Sequence, residues 1–175
     1  MNIYLVISAL GQDKPGIVKE LSKTILDNGG NVNDSRMSVL GDEFALVMMV
    51  NGSEEVIAQI EASLKDLQES VGLTIICKRT ANRNIKEKRL PYHVSIVAMD
   101  NPGIVHDVTD YLLEKNVNVE ELSTSTYSAP HTGTVMFALD LNVSLPSDVN
   151  ISNFKIDFLN FCDELNLDTA VEPLS

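Results

Sequence analysis

Asp13-Lys14-Pro15-Gly16-Ile17-Val18 recurs 87 residues later as Asp100-Asn101-Pro102-Gly103-Ile104-Val105, with five of the six positions identical. At the same offset Asn31-Val32 returns as Asn118-Val119. A repeat of that period means two copies of one small domain in tandem. Each copy of the hexapeptide follows an apolar run that reads as a strand and precedes apolar residues at helical spacing. The repeated turn therefore lies where a strand becomes a helix, a place whose backbone N–H groups are free to hold an anion.

Outward from the first turn, Tyr4 to Leu10 reads as a buried strand, and Ile17, Val18, Leu21 and Ile25 as one helix face. Pro15 suits a first helical turn, and Gly29-Gly30 a helix end. Val32 to Leu40 is polar and weakly alternating, which fits an exposed strand. Gly41-Asp42 is a turn signal, and Phe44 to Val50 is a strongly apolar strand. Ser53 before Glu54 and Glu55 marks a second helix start, with Ile57, Ile60, Leu64 and Leu67 as its stripe. Gly72 breaks that helix, and Leu73 to Cys77 closes the unit.

The second half repeats the order. Val94 to Ala98, Val117 to Tyr127, Thr134 to Val143 and Leu167 to Val171 are its strands. Ile104, Val105, Val108 and Leu112 form one helical stripe; Phe154, Phe158, Phe161 and Leu165 form the other. The connection Ser128 to Gly133 is four residues longer than its counterpart. Two β-α-β-β-α-β units predict an α+β protein of two ferredoxin-like domains. We place them at 1–80 and 91–175, joined by a basic linker at 81–90. Units this small are marginal alone.

The 175 residues carry a net charge of −12, unevenly placed. Residues 1–77 hold five basic and eleven acidic side chains, and residues 90–175 hold two and thirteen. Between them Lys78, Arg79, Arg83, Lys86, Lys88 and Arg89 stand against Glu87 alone. An acidic body repels phosphate backbones, which argues against direct nucleic-acid binding. The basic stretch is a solvated linker or a grip for an acidic partner. No apolar run is long enough to span a bilayer, and no basic residue precedes the first, so a cytoplasmic protein without a membrane role is expected. Cys77 and Cys162 lack Cys-x-x-Cys spacing and read as buried thiols of a reducing compartment.

The turns are the candidate ligand sites. Gly16 lets a small molecule approach the backbone. The N–H groups after Pro15 attract a carboxylate, Asp13 can meet an ammonium, and Asn31 can donate and accept at once. The second copy supplies Asp100, Gly103, Ile104 and Asn118. Lys14 becomes Asn101, so the two sites would differ. The plainer reading is a helix start without a ligand. Asp34 and Arg36 read as a solvated strand face or a partner contact. His93, His106 and His131 are not spaced as metal ligands. No nucleophile elbow, zinc-protease helix, P-loop or dinucleotide fingerprint is present, so there is no positive case for catalysis, metal or cofactor.

Asp13-Lys14-Pro15-Gly16-Ile17-Val18 inside a doubled β-α-β-β-α-β frame resembles the ACT-domain family of small regulatory modules. Val6 to Gly11, Asp34-Ser35-Arg36, Leu40-Gly41, Glu43-Phe44 and Lys78-Arg79-Thr80 narrow the likeness to tandem ACT regulators of the glycine cleavage system. The likeness is close through residue 80 and rests mainly on the repeat beyond 90. It implies a non-catalytic sensor of a small amino acid, glycine first, that modulates a DNA-binding transcriptional activator by protein contact. It also implies a homodimer of four stacked units. In this family the effector lies between the turn of one unit and the next strand of a neighbour. Carried over by position, that nominates Asp13, Lys14, Gly16, Ile17 and Asn31, and Asp100, Asn101, Gly103, Ile104 and Asn118. Several family members have Asn where Asp13 and Asp100 stand. The rival reading is a protein-interaction module with vestigial sites and no metabolite effector.

Overall fold

The computed structural model describes residues 3–81 and 88–174. The chain divides into two compact units, Met1–Asn84 and Ile85–Ser175. Arg83, Lys86 and Glu87 of the basic stretch lie outside the described residues. The first unit runs β1 (Ile3–Gln12), α1 (Ile17–Asp27), β2 (Asn31–Leu40), β3 (Glu43–Gly52), α2 (Glu54–Val71) and β4 (Thr74–Thr80). The second runs β5 (Arg89–Met99), α3 (Ile104–Glu114), β6 (Asn118–Ser128), β7 (Val135–Pro146), α4 (Ile151–Glu164) and β8 (Asp168–Pro173). Each unit has one antiparallel sheet, ordered β2-β3-β1-β4 and β6-β7-β5-β8. These are the two ferredoxin-like units that the repeat predicts.

Side-chain alternation explains the layering. Leu5, Ile7 and Ala9 on β1 and Phe44, Leu46, Met48 and Val50 on β3 are buried on one sheet face. Ile17, Leu21 and Ile25 of α1 and Ile57, Ile60 and Leu64 of α2 close over them. Burying each such aliphatic side chain favours folding by about 1.5–3 kcal/mol. β2 is an edge strand, exposed at every position. In the second unit Val94, Ile96, Leu139, Leu141 and Val143 meet Val108, Leu112, Phe154 and Phe158.

The element ends depart from the sequence reading in instructive places. Pro15 stands before α1, which starts after Gly16. β5 begins at Arg89, well before Val94, because its ladder with β7 runs from Arg89 opposite Pro146. Arg89 and Leu90, read as linker, are thus strand residues. On α4 the buried stripe is Phe154, Phe158 and Cys162, while Leu165 is the exposed C-cap. The helix ends at Glu164, one residue before Leu165, and Cys162 is the last buried side chain of the stripe. Both cysteines are free, and burial pushes both thiols up in pKa.

The end of β4 is tied to α2 by Arg79, which donates to Glu61 at 2.8 and 3.2 Å and also meets Glu54. Hydrogen bonding from Arg79 holds the Glu61 carboxyl below its ordinary pKa. A lowered folded-state pKa stabilises above the unfolded value, and that gain is lost as pH falls through the folded one. The pair is partly solvated, so Arg79→Ala should cost little at neutral pH. In urea titrations the difference from wild type should fade as pH drops below the ordinary glutamate range.

Candidate functional site

Three sequence features shape the first turn. Asp13 continues β1 and donates its N–H to Asp42 O of the β2–β3 hairpin at 3.0 Å. Gly16 has φ 96° and ψ −8°, a left-handed conformation that glycine adopts without penalty. The chain then enters α1, whose first helical bond is Glu20 N–H to Gly16 O at 3.0 Å. No side chain caps this helix. Asp13 therefore does not cap α1; Ile17 N–H turns back to Lys14 O at 3.4 Å, and the N–H groups of Val18 and Lys19 stay directed out of the helix end.

A Cβ built on Gly16 would meet nothing within 4 Å. The space belongs to a hollow of about 380 Å³ that Asp13, Lys14, Gly16 and Ile17 share with Met37 and Phe44. The structure thus brings four of the first unit's five nominated residues together. The apolar wall was not singled out from sequence. Phe44 stands opposite Gly11 and Met37 opposite Leu46, so both could have been found by counting register from the Gly41-Asp42 turn. Lys19 also borders this hollow.

The second turn repeats the backbone. Asp100 donates to Val135 O at 3.0 Å, Gly103 has φ 102° and ψ −16°, and Asp107 N–H reaches Gly103 O at 2.9 Å. Again no side chain caps the helix. A hollow of about 500 Å³ is lined by Asn101, Gly103, Ile104, Val105, His106 and Phe137, without Asp100. Phe137 stands opposite Ala98 as Phe44 stands opposite Gly11, so the two walls correspond even though the hairpin lengths differ.

Neither asparagine joins the turn of its own unit. Asn31 stands opposite Asn51, itself opposite Tyr4, at the other end of the sheet from Gln12. Eight residues of strand make that about 26 Å. Asn118 lies correspondingly, opposite Ser144 and level with Pro91. Its amide donates to Glu120 at 2.7 Å, and Ser144 donates to the same carboxylate at 2.8 Å. β2 and β6 each carry a bulge just after these asparagines, between Val32 and Asp34 and between Val119 and Glu121. Arg36 pairs with Asp34 along β2.

A larger hollow, about 660 Å³, lies between α2 and β4 beside Glu61, Lys65, Gln68 and Cys77. Two of its polar groups are already engaged. Gln68 accepts from Ile75 N–H at 2.7 Å, and Glu61 is held by Arg79. We therefore favour the turns over the larger hollow. Among the described residues no cluster of three His, Cys, Asp or Glu side chains could hold a metal ion. No helix among them is long and apolar enough to cross a membrane.

Comparison with known proteins points to regulation. The ACT domain model matches residues 3–78. The glycine cleavage system transcriptional repressor of Escherichia coli K12 is 30% identical over 172 residues, covering 98% of this chain and 90% of that protein. A solved structure described as a candidate glycine cleavage system transcriptional repressor superposes with a TM-score of 0.76 at 25% identity, covering 100% of this chain and 99% of the other. A protein of unknown function from Galdieria sulphuraria superposes at 0.79 with 26% identity over the full length of both chains.

Proposed function

The chain belongs to the ACT-domain family, with homology along its length to the glycine cleavage system transcriptional repressor, and on that premise we propose a non-catalytic regulator that senses a small amino acid. Glycine is the first choice of effector, and a DNA-binding transcriptional activator, reached by protein contact, is the first choice of partner. The observation that carries the reading is the open first turn. Uncapped N–H groups of α1 suit a carboxylate, and Asp13 on the same hollow suits an ammonium. The Met37 and Phe44 wall bounds the room left for a side chain. Effector and partner affinities are then linked, each changing the other by the same factor.

A thermal-shift screen of the twenty amino acids tests the effector half. A ligand at a hundred times its Kd adds about 2.7 kcal/mol to the native state, so glycine should raise the melting temperature by several degrees. The rival reading, an interaction module without an effector, draws on the distance of Asn31 and Asn118 from the turns of their own units. A flat screen beside copurification with the activator would favour that rival.

A further inference from the structure

We infer that the outer sheet face of the first unit is an interface between two copies of this chain, stacked face to face about a two-fold axis. The inference goes beyond the sensing reading and does not depend on it. A sheet with one face on a core and the other in water alternates apolar and polar side chains, whereas a strand covered on both faces is apolar throughout. Phe44 to Val50 of β3 holds no polar residue, and Val6 to Leu10 of β1 holds only Ser8. Leu5, Ile7, Leu46 and Met48 take the core side, so Val6, Leu10, Val47 and Met49 point outward. Val47, on a central strand, is 50% accessible, and Ile76 on β4 is 64% accessible. Contiguous apolar surface of this kind marks an interaction site. Four strands of seven to ten residues span about 600 Å², close to the ~800 Å² that each partner gives to a stable interface.

Strand register points to a second copy as the cover. Across the outer face Lys78, Val6, Met49 and Asp34 form one row, and Ile76, Ser8, Val47 and Arg36 form the next. A two-fold axis along the strands, between β1 and β3, sets each row against its own reverse. Lys78 of one copy then meets Asp34 of the second copy, Val6 meets Met49, Ser8 meets Val47, and Ile76 lies under the apolar stem of Arg36. Asp34 already pairs with Arg36 of its own strand, and a carboxylate has lone pairs for a second cation. The face is therefore complementary to itself in charge as well as in apolar content. The second unit lacks this property. Its corresponding row is Glu172, His93, Asn142 and Glu121, and reversal would set Glu172 against Glu121, acid against acid. Its polar groups also serve one another: Asn142 donates to Glu121 at 2.6 Å, and its amide oxygen meets His93 Nδ1 at 3.0 Å. The interface accordingly uses the first unit alone.

Sedimentation equilibrium of the full chain across the micromolar range tests this. A monomer–dimer equilibrium is expected. Val47→Glu would place an unpaired charge in the interface and should raise the dimer dissociation constant at least about a hundredfold. Ser125→Glu, opposite Ala138 on the outer face of the second unit, should leave it unchanged. Both positions are exposed, and circular dichroism checks that both variants stay folded. Lys78→Glu and Asp34→Lys should each weaken association about two- to fivefold, and combining them should recover most of that loss, because the facing charges are only exchanged. A chain that stays monomeric at every concentration, leaving the face to a different partner, overturns the inference. So does a folded Val47→Glu variant that dimerises as tightly as wild type, or a double variant no tighter than the single ones. Glycine binding decides the sensing proposal separately.

Discussion

Phe158→Ala should destabilise the protein by about 3–5 kcal/mol, the range for removing a large aromatic from a close-packed core. Phe158 is fully buried. Its ring lies 5.4 Å from Tyr111, 5.8 Å from Phe154 and 6.3 Å from Phe161, so it joins α3 to α4. Removing it leaves a void between two helices that are fixed at both ends by the sheet. A unit of this size has about 5–15 kcal/mol of total stability, so the loss is a large fraction of it. Urea midpoints read the effect directly. Ile156→Ala on the exposed side of the same helix, where the side chain is 58% accessible, should change stability by no more than about 0.5 kcal/mol. Comparable losses at the two positions would contradict the packing described.

Gly16→Ala should do two things at once. An L-residue in the left-handed region costs about 1–2 kcal/mol. No steric clash adds to this, since the Cβ would face empty space. That empty space is part of the hollow proposed to take the ligand, and relaxing the strained φ would re-aim the N–H groups of α1. Glycine binding should therefore fall below detection while the fold persists. Gly103→Ala, at φ 102°, should cost a similar amount in stability. Denaturant midpoints and glycine titrations on the same two variants give both readouts.

Much of this architecture was legible because the repeat counts its own elements. Once Asp13 to Val18 and Asp100 to Val105 are set in register, both β-α-β-β-α-β orders follow, and two weak readings support each other. Ser53 was readable as a cap because its side chain has one local task, accepting from Val56 N–H at 3.3 Å. The exposed character of β2 followed from its polar alternation. What escaped depends on tertiary placement. Cys162 rather than Leu165 completes the α4 stripe because the helix stops first, and periodicity carries no length. Arg89 looked like linker because charge patterning is blind to a partner 55 residues away: its guanidinium donates to Ser144 O at 3.1 Å. Met37 and Phe44 reach the turn through strand register, which has to be counted from the Gly41-Asp42 hairpin and does not show in local composition.

The account's central claim is that the first turn is a working amino-acid site in a regulatory protein. Calorimetric titration of the full chain with glycine tests it most directly. Saturable heat, abolished by Gly16→Ala, is the expected result. Absence of saturable heat with glycine and every other common amino acid, or binding that survives Gly16→Ala undiminished, would contradict it.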